Sequence, residues 1–389
     1  MKNLKNHLKK IGIVGAGKMG LDIFYELLEA GYYIVLFDIA FLSGERKIDI
    51  ENKFQKKVGR LLKNGIIKES RLLEIQQEVV ITQNIEDLKD CDLIIEAIVE
   101  NKDVKKQLFN RLDNIVKKGS IFVSNSSSIL PEKIFSEVSR KDKTAGLHFF
   151  YPVKITNIVE IIKSNDTSSS TTEQLKMLVK SLNKQYLLLK RDNAFILNKV
   201  LINFHTQCFR YHIENGIGIK EIDNIVKRNI FPIGTFEFYD SVGLDTMLQS
   251  LKEYIETIPH KEWVRPMLIL VEEYVKRGFY GNKNGGGFYV SGIVNENVVL
   301  HRLSNQNNPV EEKEIVETLI SLYINTIFSF IEKGFCTAEE INYAIKEYMR
   351  LDKGPIEFAK EFGIDKIRAI LLKNYKKTGH EVFKPVKGL

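Results

Sequence analysis

The amino-acid sequence predicts an α/β N-terminal domain, with a parallel sheet and antiparallel edge strands, followed by two all-α domains. In the first half, short apolar runs alternate with amphipathic stretches, which is typical of a doubly wound parallel sheet. From Phe195 onward, apolar residues recur with a helical period and strand-like runs are few. Within this second half, short segments recur about 120 residues apart, which indicates a duplicated helical domain.

The apolar runs of the first half set the order of its elements. Strands are predicted at residues 11–14, 33–38, 79–82, 92–95, 120–124, 144–150 and 157–162. Helices are predicted at residues 19–30, 48–77, 102–115 and 173–182. A polar tract at residues 164–172 is interpreted as a loop that supplies the N-cap of the last of these helices.

Two matches carry the internal repeat. Residues 213–216 have the sequence IENG and residues 331–334 have IEKG, while residues 236–245 match residues 356–365 without a gap. Since both matches occur in the same order, duplication is favoured over chance. With a second break in the Asn- and Gly-rich stretch 282–308, the predicted domains are residues 1–190, 191–295 and 296–389.

Composition and charge exclude several classes of protein. Hydrophobic residues make up 44% and charged residues 28% of the 389 residues, which is the balance of a folded globular chain. The net charge of +7 is too mild for a nucleic-acid binder, but it suits an enzyme that binds a polyanionic ligand. Three widely spaced cysteines argue against a disulfide framework, and no uninterrupted apolar run approaches about 18 residues. We therefore expect a cytoplasmic protein without a nucleic acid or a membrane as partner.

A glycine motif, GAGKMG, follows the first predicted strand and opens an amphipathic helix. In this setting Gly15 makes the tight turn, Gly17 lets the backbone approach a pyrophosphate, and Gly20 lets the helix pack on the strand. Lys18 and Met19 lie between these glycines, at the helix N-terminus that favours phosphate. All five residues are therefore predicted to bind a dinucleotide.

Asp38 ends the second predicted strand, about 20 residues beyond the glycines. A carboxylate at this position can accept hydrogen bonds from both ribose hydroxyls, and it would repel a 2′-phosphate. Strand, glycines and acid together predict a Rossmann-like domain with NAD, rather than NADP, as its cofactor.

Two polar residues interrupt the apolar strands on either side of Pro152. His148 lies in GLHFF and Glu160 lies in IVEII. If these runs are adjacent strands, the two side chains can meet, and a carboxylate beside an imidazole fixes its tautomer and makes it the stronger base that proton transfer needs. The same pair would also suit a core histidine with a buried partner. Spacing alone leaves both interpretations open.

Six motifs in chain order resemble those of the L-3-hydroxyacyl-CoA dehydrogenase family, which includes 3-hydroxybutyryl-CoA dehydrogenases. They are EAIVEN (96–101), SNSSS (124–128), GLHFF (146–150), FILN (195–198), VGLD (242–245) and the glycine-rich segment 281–289. The resemblance extends over essentially the whole chain, and the duplicated helical half resembles the longer members of the family. It implies a Rossmann-like domain that holds NAD and a helical domain that closes over an acyl chain.

The resemblance implies a role for four catalytic candidates. His148 would take the proton from the C3 hydroxyl of an L-3-hydroxyacyl thioester, with Glu160 as its orienting partner. Ser127 and Asn198 would hold the C3 oxygen while hydride passes from C3 to the nicotinamide. Ser127 would also contact the cofactor.

The same resemblance implies two further cofactor-binding positions, and at two other places this sequence differs from the usual family pattern. Glu100 and Lys105 match positions that line the cofactor site. Tyr151 stands where the family usually has an asparagine near nicotinamide and substrate. Asn193-Ala194 stands where the family usually has Pro-Gly, so that the hinge between domains is expected to differ in rigidity.

The carrier of the acyl group and the assembly of the chain stay open at this point. CoA is the default carrier, and Lys53, Lys56 and Lys57 are candidates for its phosphates, although charged helix faces are usually only solvated. One alternative is a small hydroxyacyl group on an acyl carrier protein, and another is a relative that binds NAD without turnover. The chain is expected to be a monomer with an internal pseudo-dimer, or a homodimer.

No metal site is predicted. His205, Cys208 and His212 share one predicted helix face, but they have no fourth partner at metal-ligand spacing. A packed helix face is the favoured interpretation.

Overall fold

The computed structural model describes residues 8–65, 78–295 and 310–389. It divides into two compact units, one ending at Ala194 and the other beginning at Phe195. Three of the predicted segments extend beyond the described residues. They are the end of the predicted helix 48–77, the end of the break 282–308 and the start of the predicted domain 296–389.

The first unit is built on one eight-stranded sheet. Its strands are β1 (Lys10–Val14), β2 (Tyr33–Phe37), β3 (Val79–Thr82), β4 (Leu93–Glu96), β5 (Ile121–Ser124), β6 (Thr144–Phe149), β7 (Ile158–Ile162) and β8 (Gln185–Leu189). They follow the order β3-β2-β1-β4-β5-β6-β7-β8, and all neighbours are parallel except β6 and β7. The first six positions have the strand order of a dinucleotide-binding sheet, which confirms the predicted Rossmann-like domain.

Helices cover this sheet and explain its burial. They are α1 (Lys18–Glu29), α2 (Glu45–Lys63), α3 (Lys102–Ile115), α4 (Pro131–Ile134) and α5 (Ser169–Ser181). Every residue of β4, β5 and β7 is buried, as expected for a sheet with both faces covered. One apolar cluster contains Phe24 of α1 and Ile13 of β1, and a second contains Phe109 of α3 and Phe122 of β5.

The start of α5 corrects the sequence prediction. Ser168 is its N-cap residue and accepts a hydrogen bond from the Thr171 N–H at 3.1 Å. The polar residues that follow Ser168 therefore form the first turn of the helix, not a loop, because a capped turn satisfies N–H groups that have no partner within the helix.

The second unit is mainly helical. Its helices are α6 (Ile196–Lys199), α7 (Ile202–Asn215), α8 (Ile219–Asn229), α9 (Thr235–Val242), α10 (Leu244–Tyr254), α11 (Lys261–Lys276), α12 (Glu312–Glu332), α13 (Ala338–Met349), α14 (Pro355–Phe362) and α15 (Ile364–Thr378). An antiparallel pair, β9 (Tyr289–Val290) and β10 (Ile293–Val294), was not predicted. Its turn residues Ser291 and Gly292 both have positive φ, 51° and 78°, as tight hairpins require. The described helices form one compact unit, and their separation into two all-α domains stays a prediction.

The longest helix of this unit, α12, lies in its core. Among the described residues it is the one helix long and apolar enough to cross a membrane, but 61% of its apolar window is buried inside the protein. Asn203 of α7 donates a hydrogen bond to Thr326 of α12 at 3.0 Å. The ring of Tyr323, also in α12, lies 5.3 Å from the ring of Phe231. Such packing is typical of a core helix.

Two types of helix N-terminus each occur twice in the second unit. Helices α10 and α15 begin after Gly243 and Gly363, whose φ angles are 104° and 99°. Helices α9 and α14 begin after Gly234 and Gly354, and the N–H of each glycine donates to a glutamate side chain three residues later. Each pair of glycines is 120 residues apart in the chain.

A polar side chain of the preceding helix holds α9 and α14 in the same way. Asp223 of α8 accepts a hydrogen bond from the Phe236 N–H at 2.9 Å. Asn342 of α13 accepts one from the Ile356 N–H, also at 2.9 Å. The same local structure is therefore built twice.

Asp223 gives the helical unit a predicted pH dependence. Burial raises its pKa to about 6, against the effect of hydrogen bonds from Phe236, Tyr289 and Glu237. Because an unfolded aspartate titrates near pH ~4, the folded state holds this proton more tightly. The contribution of Asp223 to the free energy of unfolding is therefore largest below pH ~4 and falls as the pH rises to about 6. Urea unfolding of wild type and Asp223→Asn at several pH values, followed by the fluorescence of buried Trp263, measures this slope; equal slopes would contradict it.

Candidate active site

The glycine motif forms the turn from β1 into α1. Gly15 has a φ of 105°, and an added Cβ would lie 2.5 Å from the Ala97 carbonyl oxygen. At Gly20 a Cβ would lie 1.9 Å from the Gly15 carbonyl oxygen, so strand and helix pack at a distance that only glycine allows. At Gly17 a Cβ would meet no atom within 4 Å. Since Gly17 directly precedes the first N–H groups of α1, this open space fits the pyrophosphate of a dinucleotide.

Alanine at Gly17 and alanine at Gly20 are expected to affect different properties of the protein, NADH affinity in the first case and stability in the second. Gly20→Ala should lower the free energy of unfolding of the first unit by about 1–3 kcal/mol or more, because the methyl group overlaps a backbone oxygen. Gly17→Ala should leave stability nearly unchanged and weaken NADH binding about tenfold or more, because its methyl group occupies the space that the pyrophosphate approaches. Thermal unfolding and fluorescence titration with NADH separate the two. If Gly17→Ala binds NADH as tightly as the wild type does, the pyrophosphate does not approach the backbone at Gly17.

Asp38 lies at the carboxyl end of β2 and anchors the glycine turn itself. Its Oδ2 accepts a hydrogen bond from the Ala16 N–H at 2.6 Å, and its Oδ1 accepts one from the Ala40 N–H at 2.7 Å. Each carboxylate oxygen has a second acceptor site, which suits the predicted ribose contact. Arg46 of α2, which the sequence did not single out, donates to the Ala16 carbonyl oxygen at 3.0 Å.

His148 and Glu160 face each other across the antiparallel pair β6 and β7, where they are register partners. The distance from His148 Nδ1 to Glu160 Oε2 is 2.8 Å. Both side chains are buried, with 6% of the His148 side chain and none of the Glu160 side chain exposed. If Nδ1 carries the hydrogen that Glu160 accepts, Nε2 has the lone pair of a base. The predicted contact between the two is therefore present.

Glu100 holds the segment that carries Ser127. Its Oε1 accepts hydrogen bonds from the N–H groups of Ser127 and Ser128, at 3.0 and 3.1 Å. It also accepts from the hydroxyls of Ser126 and Ser128, at 2.6 and 2.8 Å. Burial acts to raise the pKa of Glu100, but the charge of Lys105 and these hydrogen bonds outweigh it and lower the pKa. Glu100 therefore remains ionised and keeps the serine segment in place.

Lys105 lies between two carboxylates. Its ammonium is 2.5 Å from Glu96 Oε1 and 3.3 Å from Glu100 Oε2. Only 1% of the Lys105 side chain is exposed, and Glu96 is fully buried. Ser124 donates to the other oxygen of Glu96 at 2.5 Å. The sequence marked Lys105 as a cofactor contact, which stays a prediction, and it gave no role to Glu96, which the structure places in the same buried network.

Asn198 lies in the other unit, in the short helix α6. Its Nδ2 donates a hydrogen bond to the hydroxyl of Tyr254 at 2.9 Å. The hydroxyl of Tyr348 donates to its Oδ1 at 3.3 Å. Neither tyrosine was identified from the sequence, because they lie 56 and 150 residues further along the chain.

Lys18 and Tyr151 meet beside the glycine turn. The ammonium of Lys18 lies 3.6 Å from the centroid of the Tyr151 ring, a cation–π contact. Tyr151 follows β6, the strand of His148, and is 51% exposed. Met19, by contrast, packs against the apolar core. Lys18, in the first turn of α1, thus contacts the segment that follows the strand of His148.

The lysines suggested for the CoA phosphates lie on α2. Lys53 is 2.6 Å from Asp49, and Lys57 is 3.7 Å from Glu29. Lys56 is exposed on the same helix. Contact of these lysines with CoA stays a prediction.

The ligand-type residues of α7 are either buried or hydrogen-bonded within the helical unit. His205 is buried, and burial lowers its pKa to about 3. Cys208 is buried and accepts a hydrogen bond from the Thr235 hydroxyl at 3.3 Å, while His212 Nδ1 lies 2.9 Å from the Ile217 carbonyl oxygen. Within the parts of the chain that the structure describes, there is no group of three or more His, Cys, Asp or Glu that could hold a metal ion.

A dinucleotide turn in the same sheet as a buried imidazole–carboxylate pair is the arrangement of a nicotinamide-dependent dehydrogenase. The family model for the 3-hydroxyacyl-CoA dehydrogenase NAD binding domain matches residues 10–192, and the model for its C-terminal domain matches residues 195–291. The chain therefore belongs to the 3-hydroxyacyl-CoA dehydrogenase family, and its first unit is an NAD-binding domain.

Relatives with known names support this placement. A 3-hydroxybutyryl-CoA dehydrogenase from Bradyrhizobium diazoefficiens is 31% identical over 284 residues, which are 72% of this chain and 95% of that protein. The mitochondrial hydroxyacyl-coenzyme A dehydrogenase of Homo sapiens is 31% identical over 286 residues, which are 72% of this chain and 91% of that protein.

Two crystal structures show how far the fold is shared. The (S)-3-hydroxybutyryl-CoA dehydrogenase from Ralstonia eutropha is 31% identical, with a TM-score of 0.63 over 73% of this chain and 99% of its own. A 3-hydroxybutyryl-CoA dehydrogenase from Escherichia coli K12 is 20% identical, with a TM-score of 0.79 over 98% of this chain and 97% of its own. The second comparison shows a common fold over nearly the full length of the chain.

Proposed function

We propose that the protein is an NAD-dependent dehydrogenase that interconverts an L-3-hydroxyacyl thioester, with CoA as the default carrier, and the corresponding 3-oxoacyl thioester. The observation that carries this proposal is the 2.8 Å contact between His148 Nδ1 and Glu160 Oε2 inside an NAD-binding domain. The names of the relatives, 3-hydroxybutyryl-CoA dehydrogenase and hydroxyacyl-coenzyme A dehydrogenase, support the substrate class.

His148 performs the proton transfer in this proposal. With Nδ1 held by Glu160, Nε2 takes the proton of the C3 hydroxyl while the C3–H bond breaks and the C3–O bond becomes a carbonyl. NAD, when bound, supplies the hydride acceptor. Glu160 stabilises the imidazolium that forms, because a buried carboxylate at 2.8 Å interacts strongly with positive charge. In the reverse direction, His148 returns the proton to the oxygen.

Ser127 and Asn198 are proposed to hold the C3 oxygen. Both are supported by neighbours, Ser127 by Glu100 and Asn198 by Tyr254. Donors that are fixed in advance stabilise charge on the oxygen without reorganising during the reaction. The cofactor would lie on the turn of Gly15, Gly17 and Gly20.

A substrate panel tests the proposed reaction and its carrier. We expect NADH to form from 3-hydroxybutyryl-CoA or a longer L-3-hydroxyacyl-CoA, and its absorbance measures the rate. If carrier-bound hydroxyacyl groups react and CoA esters do not, the carrier is an acyl carrier protein. If no thioester reacts although NADH binds, the protein is a non-catalytic relative and the proposal is wrong.

We also propose that the second unit contains two copies of one helical domain, the second within residues 296–389, as in a long form of the family. The repeated glycine starts of α9 and α14 and of α10 and α15 support this, as do the matching contacts of Asp223 and Asn342. The second copy packs on the first through the Asn203–Thr326 hydrogen bond.

This arrangement suggests an internal pseudo-dimer. The face of α7 around Phe204 is buried by the chain itself, with 1% of Phe204 exposed. A chain whose copies already cover each other is expected to sediment as a monomer, because the surface that a partner would use is occupied. A stable dimer that buries this face of α7 against a second chain would overturn the proposal. A cytoplasmic location stays a prediction.

A further inference from the structure

We infer that Tyr348, from the second half of the helical unit, is a positioning residue for the carboxamide of Asn198. This inference rests on the proposed function, in which Asn198 holds the C3 oxygen of the substrate. It gives the second half of the unit a part in catalysis beyond its contribution to packing.

The Asn198 carboxamide is held from two sides. Its Nδ2 donates to the Tyr254 hydroxyl at 2.9 Å, and its Oδ1 accepts from the Tyr348 hydroxyl at 3.3 Å. The terminal torsion of an asparagine side chain has a broad energy profile, so that neighbouring groups decide its angle. Two contacts on opposite atoms of the amide fix its plane, and with it the direction of the second Nδ2 hydrogen.

The two tyrosines come from different parts of the unit. Tyr254 ends α10, which lies within the region that the C-terminal family model matches, residues 195–291. Tyr348 lies in α13, beyond the end of that match. Tyr348 thus lies outside the part of the chain that the family model matches.

The backbone around Tyr348 is well fixed. Helix α13 begins with a reciprocal cap, in which Thr337 Oγ1 accepts from the Glu340 N–H at 3.1 Å and Glu340 accepts from the Thr337 N–H at 2.8 Å. Ile341, Ala344 and Ile345 of this helix are buried. A helix that is capped and packed holds the tyrosine hydroxyl in place, which a positioning role requires.

Tyr348→Phe tests the inference, because it removes the hydroxyl and keeps the ring. We expect kcat for the hydroxyacyl substrate to fall about three- to tenfold, the effect of one hydrogen bond, with an unchanged KM for NAD. Tyr343→Phe is the matched control, since Tyr343 lies on the same helix and is 39% exposed. The control should keep the wild-type kcat.

A double-mutant cycle distinguishes positioning from a general effect on stability. If Tyr348 acts through Asn198, Tyr348→Phe should have no further effect on kcat in an Asn198→Ala background. An equal loss in both backgrounds, or no loss in the wild-type background, would overturn the inference. All rates are measured well below the unfolding temperature of each variant, so that lower stability does not imitate the result. If the wild-type enzyme is active and Tyr348→Phe has the same kcat, the inference is wrong but the proposed function stands. If the wild-type enzyme is inactive, the proposed function and the inference are both wrong.

Discussion

His148→Gln is expected to lower kcat by about 10²–10⁴-fold, the usual contribution of a general base. Glutamine fills a similar volume, but it has no basic nitrogen to take the C3 hydroxyl proton. The affinity for NADH should change little, because His148 lies on β6 while the dinucleotide turn follows β1. Turnover measured by NADH formation, together with a fluorescence titration of NADH, gives both quantities for each variant.

Two further variants define the role of the pair. Glu160→Gln should lower kcat less than His148→Gln does, because the base remains and only its orientation and the stabilisation of its charge are lost. His260→Gln is the matched control for a histidine outside the site, in the helical unit. Wild-type turnover in His148→Gln would show that the buried pair is structural and that another group takes the proton.

The sequence predicted those parts of the fold that local patterns determine. Strands β4 and β5 each begin with three consecutive apolar residues and lie buried in the sheet, and this pattern identified them. Strand β8, Gln185–Leu189, was missed because its run of apolar residues directly follows a helix and has no alternation. Such a short run at the edge of a sheet is not distinguishable from a helix end by its period.

The same reasoning explains which site residues were found. His148 and Glu160 lie 12 residues apart on neighbouring strands, so their contact follows from a single turn. Glu96 and Arg46 support the site through contacts that depend on how the whole sheet and its helices pack. Tyr348 lies 150 residues from Asn198, and no local pattern connects them. Contacts between distant segments therefore set the limit of the sequence prediction.

Lys105→Met is expected to lower the free energy of unfolding of the first unit by about 3–5 kcal/mol, the effect of breaking a buried ion pair from one side. Methionine fills the space of the lysine chain, but it leaves the carboxylates of Glu96 and Glu100 without their cation, 2.5 and 3.3 Å from where the ammonium was. The pKa of Glu100 should then rise, because the burial that acts on it is no longer opposed by the charge of Lys105. Unfolding in urea, followed by far-ultraviolet circular dichroism, measures the loss.

The neighbouring lysine provides a matched control for this prediction. Lys106 pairs with Glu137 at the surface, where solvent screens the two charges, so Lys106→Met should have little effect on the free energy of unfolding. Adding Glu96→Gln to Lys105→Met should recover part of the loss, since it removes one of the two uncompensated charges. Equal stability of Lys105→Met and Lys106→Met would contradict the buried network. If Glu96→Gln partly restores stability and NADH affinity changes in parallel, the buried network supports the serine segment as well as the fold.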